Sequence, residues 1–279
     1  MGKKSRRASQ PKRKEVPFVE RPFEGLAGET DLVAMREILP AATMRLTAGE
    51  EEVVLVTLLP EHLPALRQSD GTVLVALQSP MRSGDASRDV MYALEGAREL
   101  EPGQALTLTN LPEPGTRMQD VFADSPMEIE VASSFEFWLD PATERTDQLE
   151  QALTAANEQM VPMAPVPGAR SAYWTRMGKE YLRWIRPEDE YELLNALAKL
   201  HVTGGTELED GVRMIGAFRT CGLLVPVWEL APGTEADELT DACAAFEERL
   251  AAALSDDAPL DADQRRARAG LISRQVNLR

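Results

Sequence analysis

Seven basic side chains, Lys3, Lys4, Arg6, Arg7, Lys12, Arg13 and Lys14, crowd the first fourteen residues without a single acid, on a chain of 279 residues whose net charge is -16. The last sixteen residues repeat the pattern with Arg265, Arg266, Arg268, Arg274 and Arg279. Setting those twelve cations aside leaves 18 basic against 46 acidic side chains, a net charge of -28 for residues 15–263. Neither end can supply a core. A polycation with almost no apolar area cannot offset the entropy of ordering it, so residues 1–22 are expected to be a disordered basic tail. Such ends make contacts with nucleic acid or with the protein's own acidic surface.

Between the ends, 43% of the chain's residues are hydrophobic, enough for a real core and for one large domain or two smaller ones. The amino terminus has charge but no apolar run of the kind a secretory signal needs, and no apolar stretch approaches the ~20 residues of a membrane span. Cys221 and Cys243 are the only cysteines, which leaves no disulfide framework and no CxxC pair. These features predict a cytoplasmic protein with reduced thiols, no membrane partner and no cofactor.

Hydropathy patterning predicts an α+β fold of two β-rich lobes with packed helices. A helix is expected from Thr30 or Asp31 to Leu39, ended by Pro40; residues 53–59 and 72–78 read as strands around a short helix opened by Pro60; Ser87 is placed as the cap of a helix running to about Leu100. Strict alternation makes residues 129–139 the clearest strand, with Ile129, Val131, Ser133, Phe135, Phe137 and Leu139 on one face. A helix follows over 146–160. The three prolines of residues 159–168 mark a connector, so the lobes are placed at residues 23–160 and 161–256, with 257–279 as a basic C-terminal helix and tail.

In the second lobe, residues 172–176 and 180–186 form a hairpin around Met177-Gly178. Pro187 and the acids after it open a helix closed by Gly204-Gly205, and residues 212–219 and 222–230 form a second hairpin whose Pro226 argues for an edge strand or a bulge. The longest helix falls at 234–254. Residues 137–144 faintly echo residues 227–235, which makes duplication of one unit a reading to be tested.

Chemistry is hard to find in this chain. Neither Gly2-Lys3 nor Gly178-Lys179 completes a phosphate loop, no GxGxxG follows a strand, and His62 and His201 lack metal-ligand spacing, so no metal site is expected. Cys221 could be a nucleophile only with a base such as His201 beside it, and a cysteine tolerated in a turn is the plainer reading. Forty-six acids offer no distinguishable catalytic pair. The surface that stands out is residues 170–186. It holds Arg170, Arg176, Lys179, Arg183 and Arg186 among Tyr173, Trp174, Tyr181 and Trp184, with Glu180 as its one acid. Trp174, Arg176, Trp184 and Arg186 alternate onto one face and Arg183 onto the other. Cations between aromatics on a sheet suit single-stranded nucleic acid, bases stacking on rings while arginine meets phosphate; the competing reading buries the tryptophans and pairs the arginines with acids.

Residues 21–43, 181–190 and 216–228, together with the Arg-rich end, resemble a family of uncharacterised actinobacterial proteins over the full length of the chain. The resemblance implies a bacterial, cytoplasmic protein and brings no catalytic residues with it. The sequence therefore leaves two functions open. One is a non-enzymatic interaction protein that contacts RNA, a ribonucleoprotein or a protein partner through its two basic ends, with Lys3, Lys4, Arg6, Arg7, Lys12, Arg13 and Lys14 at the first, and with the 170–186 hairpin as a further contact. The other is a small-ligand-binding protein or a cofactor-free enzyme.

Overall fold

The computed structural model of the chain describes residues 14–49, 51–273 and 276–277. Helix α1 (Glu29–Glu37) leads into a hairpin of β1 (Ala42–Ala48) and β2 (Glu51–Val56); β3 (Ala65–Arg67), β4 (Val73–Ala76), helices α2 (Ala86–Arg98) and α3 (Met118–Phe122), and β5 (Ile129–Val131) follow. These strands form one sheet in the order β3-β4-β2-β1-β5, in which β2 and β4 run parallel. After α4 (Asp147–Glu158), strands β6 (Met163–Pro165), β7 (Ala172–Arg176), β8 (Glu180–Trp184), β9 (Met214–Thr220), β10 (Leu223–Glu229) and β11 (Val276–Asn277) build a second sheet in the order β11-β9-β10-β8-β7-β6. Helices α5 (Glu190–Val202), α6 (Thr240–Leu254) and α7 (Ala262–Ser273) belong to the second half of the chain. This is an α+β fold. The two sheets differ in strand order, and the echo between residues 137–144 and 227–235 falls on a 3-10 turn in one case and on the end of a strand in the other.

Period-two burial places the cores. On the first sheet Met44, Leu46, Val53, Leu55, Val73 and Val75 face one cluster, while Val54, Val56, Leu74 and Ala76 face a smaller one capped by Phe137 and Trp138. On the second sheet Ala172, Trp174, Leu182, Trp184, Leu224 and Trp228 pack against α5 and α6, and Leu271 of α7 joins them. The opposite face of that sheet, with Tyr173, Ile185, Leu223 and Val225, belongs to the same cluster as α1, α2 and the first sheet. Helix α1 is buried over the run from Glu29 to Met35. Its polar members are paired: Arg21 donates to both carboxylate oxygens of Glu29 at 2.6 and 2.8 Å, Ser171 Oγ lies 2.7 Å from both Asp31 Oδ1 and Thr30 Oγ1, and Arg170 donates to Asp31 at 3.1 Å.

Several local expectations change. Asp85, not Ser87, caps α2, accepting from the Ser87 and Arg88 amides; Ser87 Oγ instead accepts from the Met118 amide and ties α2 to α3. The alternating run at 129–139 is a strand only as far as Val131. The Ala132 amide donates to the Ala41 carbonyl at 3.0 Å, and the next residue that could bond on that side of β1 is Leu39, whose amide donates instead to the Ala34 carbonyl of α1 at 2.8 Å. The chain then turns, and Phe135 stacks on Trp138 with ring centroids 4.0 Å apart, an i,i+3 contact that period-two reading could not show. Pro226 sits in a central strand, not an edge one. It falls between the isolated Arg186–Leu224 bridge and the β8 ladder that begins at Val227, and the register shift at Val227/Trp228 beside it matches the bulge, the other of the two expectations.

The second core is aromatic at its centre. Phe246 of α6 meets Trp228 edge-on at 5.1 Å and Trp184 at 5.8 Å, and Trp228 Nε1 donates to the Thr206 carbonyl at 2.8 Å. Phe246→Ala is therefore expected to destabilise the protein by about 3–5 kcal/mol. Ile215→Ala, on the exposed side of β9, should cost about 0.5 kcal/mol or less. Urea denaturation followed by tryptophan fluorescence measures both, and equal midpoints would show that this cluster is not the core of the second sheet.

Candidate functional site

A cleft of about 750 Å³, open to solvent, lies where the two halves of the chain meet. Four separate segments wall it: residues 16–22, the end of α1 at Arg36 and Glu37, residues 82–89 around the start of α2, and the β9–β10 turn at 219–222. That size is within the range of small-ligand pockets.

Each wall has a physical reason for its place. Cys221 and Gly222, with φ of 46° and 76°, form a two-residue turn that needs two left-handed residues, and a Cβ on Gly222 would come within 2.9 Å of Arg21 Cβ and 3.1 Å of the Glu20 carbonyl. Glycine is what lets the turn lie against the incoming segment. That segment is bonded throughout: the Val19 amide donates to the Gly84 carbonyl at 2.9 Å, Arg117 and Gln119 donate to the Pro22 carbonyl at 3.0 and 2.8 Å, and Arg21 reaches the Pro187 carbonyl at 3.0 Å. Arg219 bridges Glu20 and Glu190. Arg36, at the end of α1, donates to the Leu77 carbonyl at 2.9 Å and pairs with Glu37 at 3.0 Å.

The cleft is polar and of mixed sign. Arg36, Arg82 and Arg219 face Glu20, Glu37, Asp85 and Asp89. Asp85 is committed to the α2 cap and to Arg117, 2.7 Å away. Asp89 accepts from the Ser83 amide, yet burial raises its pKa above the ordinary carboxylate value. Arg82 is exposed and pairs with no carboxylate among the described residues. Burial, helped by Glu37, pushes the Cys221 thiol up to about 11, with Arg36 and Arg82 pulling the other way. Its charged surroundings are these three side chains and not a histidine: His62 lies in the turn after β2, His201 in the last turn of α5, both are exposed and neither lines the cleft. Cys221 is a thiol at neutral pH and is poorly suited to nucleophilic attack. Among the described residues no group of three His, Cys, Asp or Glu side chains could hold a metal ion, and no helix is long and apolar enough to cross a membrane.

The residues singled out from the sequence lie elsewhere. Lys3, Lys4, Arg6, Arg7, Lys12 and Arg13 fall outside the described residues, as does most of the segment expected to be disordered; Lys14 is exposed, just before the cleft segment. The 172–184 hairpin has the expected register, with Trp174 opposite Leu182 and Ala172 opposite Trp184, so both tryptophans share a face. That face is the core. Trp174 and Trp184 are 5% and 3% exposed, and their indole N–H groups donate to the carbonyls of Thr234 and Arg170. Neither indole is left open for a base. Arg176 pairs with Glu235 at 2.6 Å and Glu180 at 3.1 Å, and Arg186, buried, with Glu188 and Glu247. For Arg186, burial alone would lower the pKa, but the bonds from Glu247 and Glu188 carry it above the ordinary value. The hairpin cations thus compensate acids of the same chain. Arg183, on the other face, is the exception and has no carboxylate partner among the described residues; its guanidinium donates to Met177 Sδ at 3.4 Å.

No curated protein and no solved structure matches this chain. Two outcomes follow from the cleft geometry. Alkylation of Cys221 by iodoacetamide should be slow near neutral pH, since a pKa of about 11 leaves roughly 300-fold less thiolate than an ordinary cysteine. Its rate should still be climbing above about pH 10, and a plateau near pH 9 would contradict the raised pKa. Gly222→Ala should destabilise the protein by more than about 1 kcal/mol and speed proteolysis within residues 15–21, because the turn and the segment can no longer touch; unchanged stability and cleavage would show that the contact does not hold the segment. A model of a family of unknown function, DUF5926, matches residues 22–279, nearly the whole chain, and the protein belongs to that family.

Proposed function

We propose that the protein is a non-enzymatic interaction protein of the bacterial cytoplasm that holds RNA or a ribonucleoprotein through its basic amino terminus. Charge placement carries the reading. Seven cations in fourteen residues lead directly into the segment bonded along the cleft, whose rim presents Arg82, exposed and without a carboxylate partner among the described residues. An acidic body disfavours a polyanion over much of its surface, which favours contact at the tail and this rim. The hairpin at 170–186 adds nothing to the reading, since its tryptophans are core and Arg176 and Arg186 are neutralised. A second reading, binding of a small polar ligand, is supported by the size of the cleft and its facing arginines and carboxylates.

Titration with single-stranded RNA at several salt concentrations separates the two. If the tail is the contact, log affinity falls against log salt with a slope of about 3 to 5, from about 0.7 per phosphate neutralised. Deleting residues 2–14 should remove most of that slope and leave little binding even at low salt. Undiminished binding after the deletion would dismiss the tail as the contact, and no binding by the intact protein would leave the small-ligand reading.

A further inference from the structure

A second, smaller groove of about 240 Å³ opens at the edge of the second sheet and shares Arg36 and Glu37 with the large cleft. Ile38 and Pro40 form one wall, after the end of α1, and Val161, Met163 and Met177 the other. Val161 and Met177 are 39% and 46% exposed, an unusual allowance for large apolar side chains on a body this acidic. Arg183 reaches this groove from β8. Its neighbours on the hairpin, Arg176, Lys179 and Arg186, each have a carboxylate within ion-pair distance. Arg183 has none among the described residues, and its guanidinium is instead set against a thioether.

A half-buried guanidinium with no anion is costly, because burial removes water without supplying a counter-charge. The direction of its pKa agrees: burial lowers it, where ion pairing raises that of Arg176. Arg36 and Glu37 border the same groove but satisfy each other, so Arg183 supplies its uncompensated charge. An apolar trough with one such cation matches a molecule having a short apolar chain and a single carboxylate, which guanidinium can take bidentately. The volume lies below the range of drug-sized pockets, which limits the ligand to a small one.

We propose that this groove binds a small amphiphilic carboxylate, its chain against Val161, Met163 and Met177 and its carboxylate on Arg183. The site is independent of the RNA reading and of the large cleft, and so is its test. Protein labelled with ¹³C at the methionine methyls is titrated with hexanoate, hexan-1-ol and hexylammonium, with the Met163 and Met177 signals as reporters. Hexanoate should shift both signals saturably, and the alcohol and the ammonium should bind at least about tenfold more weakly for want of the charge-assisted bonds. Arg183→Gln should weaken hexanoate by a similar factor while leaving the other methionine signals in place. If that variant does not fold, Met177→Glu, at an exposed position, should furnish Arg183 with a carboxylate from the chain itself and abolish hexanoate binding. The proposal is overturned if hexanoate produces no saturable shift at Met163 and Met177, if the alcohol binds as well as the acid, or if either variant retains the affinity of the parent protein.

Discussion

Burial of the first helix is the constraint on which the rest of the structure depends. Glu29, Thr30 and Asp31 enter the core together with Leu32, Val33, Ala34 and Met35. A buried carboxylate is tolerable only if its bonds are supplied. For Glu29 they come from Arg21, a few residues away. For Asp31 they come from Arg170 and Ser171, about 140 residues further along the chain. Ser171 adopts a φ of 56°, unusual for a serine, at the point where it delivers its hydroxyl to Asp31 and Thr30. Tyr173, one pleat beyond, has its pKa raised by burial first and then by the charge of Asp31, as expected of a phenol set against that carboxylate. The polar bonds fix where the second sheet must sit relative to α1, and Leu32, Met35, Ile185, Leu223 and Val225 then close one apolar cluster between them.

The cleft follows from that arrangement. Once the second sheet is placed over α1, the β9–β10 turn arrives beside the end of the helix, and Gly222 lets the 20–21 segment pass against it. Arg36 closes the junction by pairing with Glu37 and the Leu77 carbonyl, and both residues line the large cleft and the small groove. Both recesses are therefore products of the inter-sheet packing and not of either sheet alone.

Much of the local structure was legible because local chemistry decides it. The helices expected at 146–160 and after Pro187 form, capped by the side chains of Thr146 and Asp189, and the 172–184 hairpin has the register that its alternation predicts. The failures have long-range causes. Residues 133–139 alternate like a strand, but the ladder they would extend stops at Ala41 because the Leu39 amide bonds back to α1, and Trp138 instead donates to the Leu58 carbonyl. For Pro226 the sequence leaves an edge strand and a bulge open, and only the assembled sheet, with β9 and β8 on either side and a register shift at Val227/Trp228, decides between them. The large cleft draws on four segments with no motif among them, so nothing local announces it. Of its residues only Cys221 stood out, by its place in a turn. Arg183 was visible only as one cation among five in the hairpin; that it alone of Arg176, Arg183 and Arg186 lacks an acid depends on where Glu180, Glu188, Glu235 and Glu247 come to rest.

Native-state amide exchange on Leu32→Ala tests the central claim most directly, that one buried helix holds both sheets. Truncating this fully buried side chain should cost about 2–5 kcal/mol. If α1 is the shared core, the slowest-exchanging amides of Val73–Ala76 in the first sheet and of Glu180–Trp184 in the second should lose the same amount of protection, because both open only when the helix leaves. Loss confined to the first sheet, with the second as protected as in the parent protein, would contradict the account.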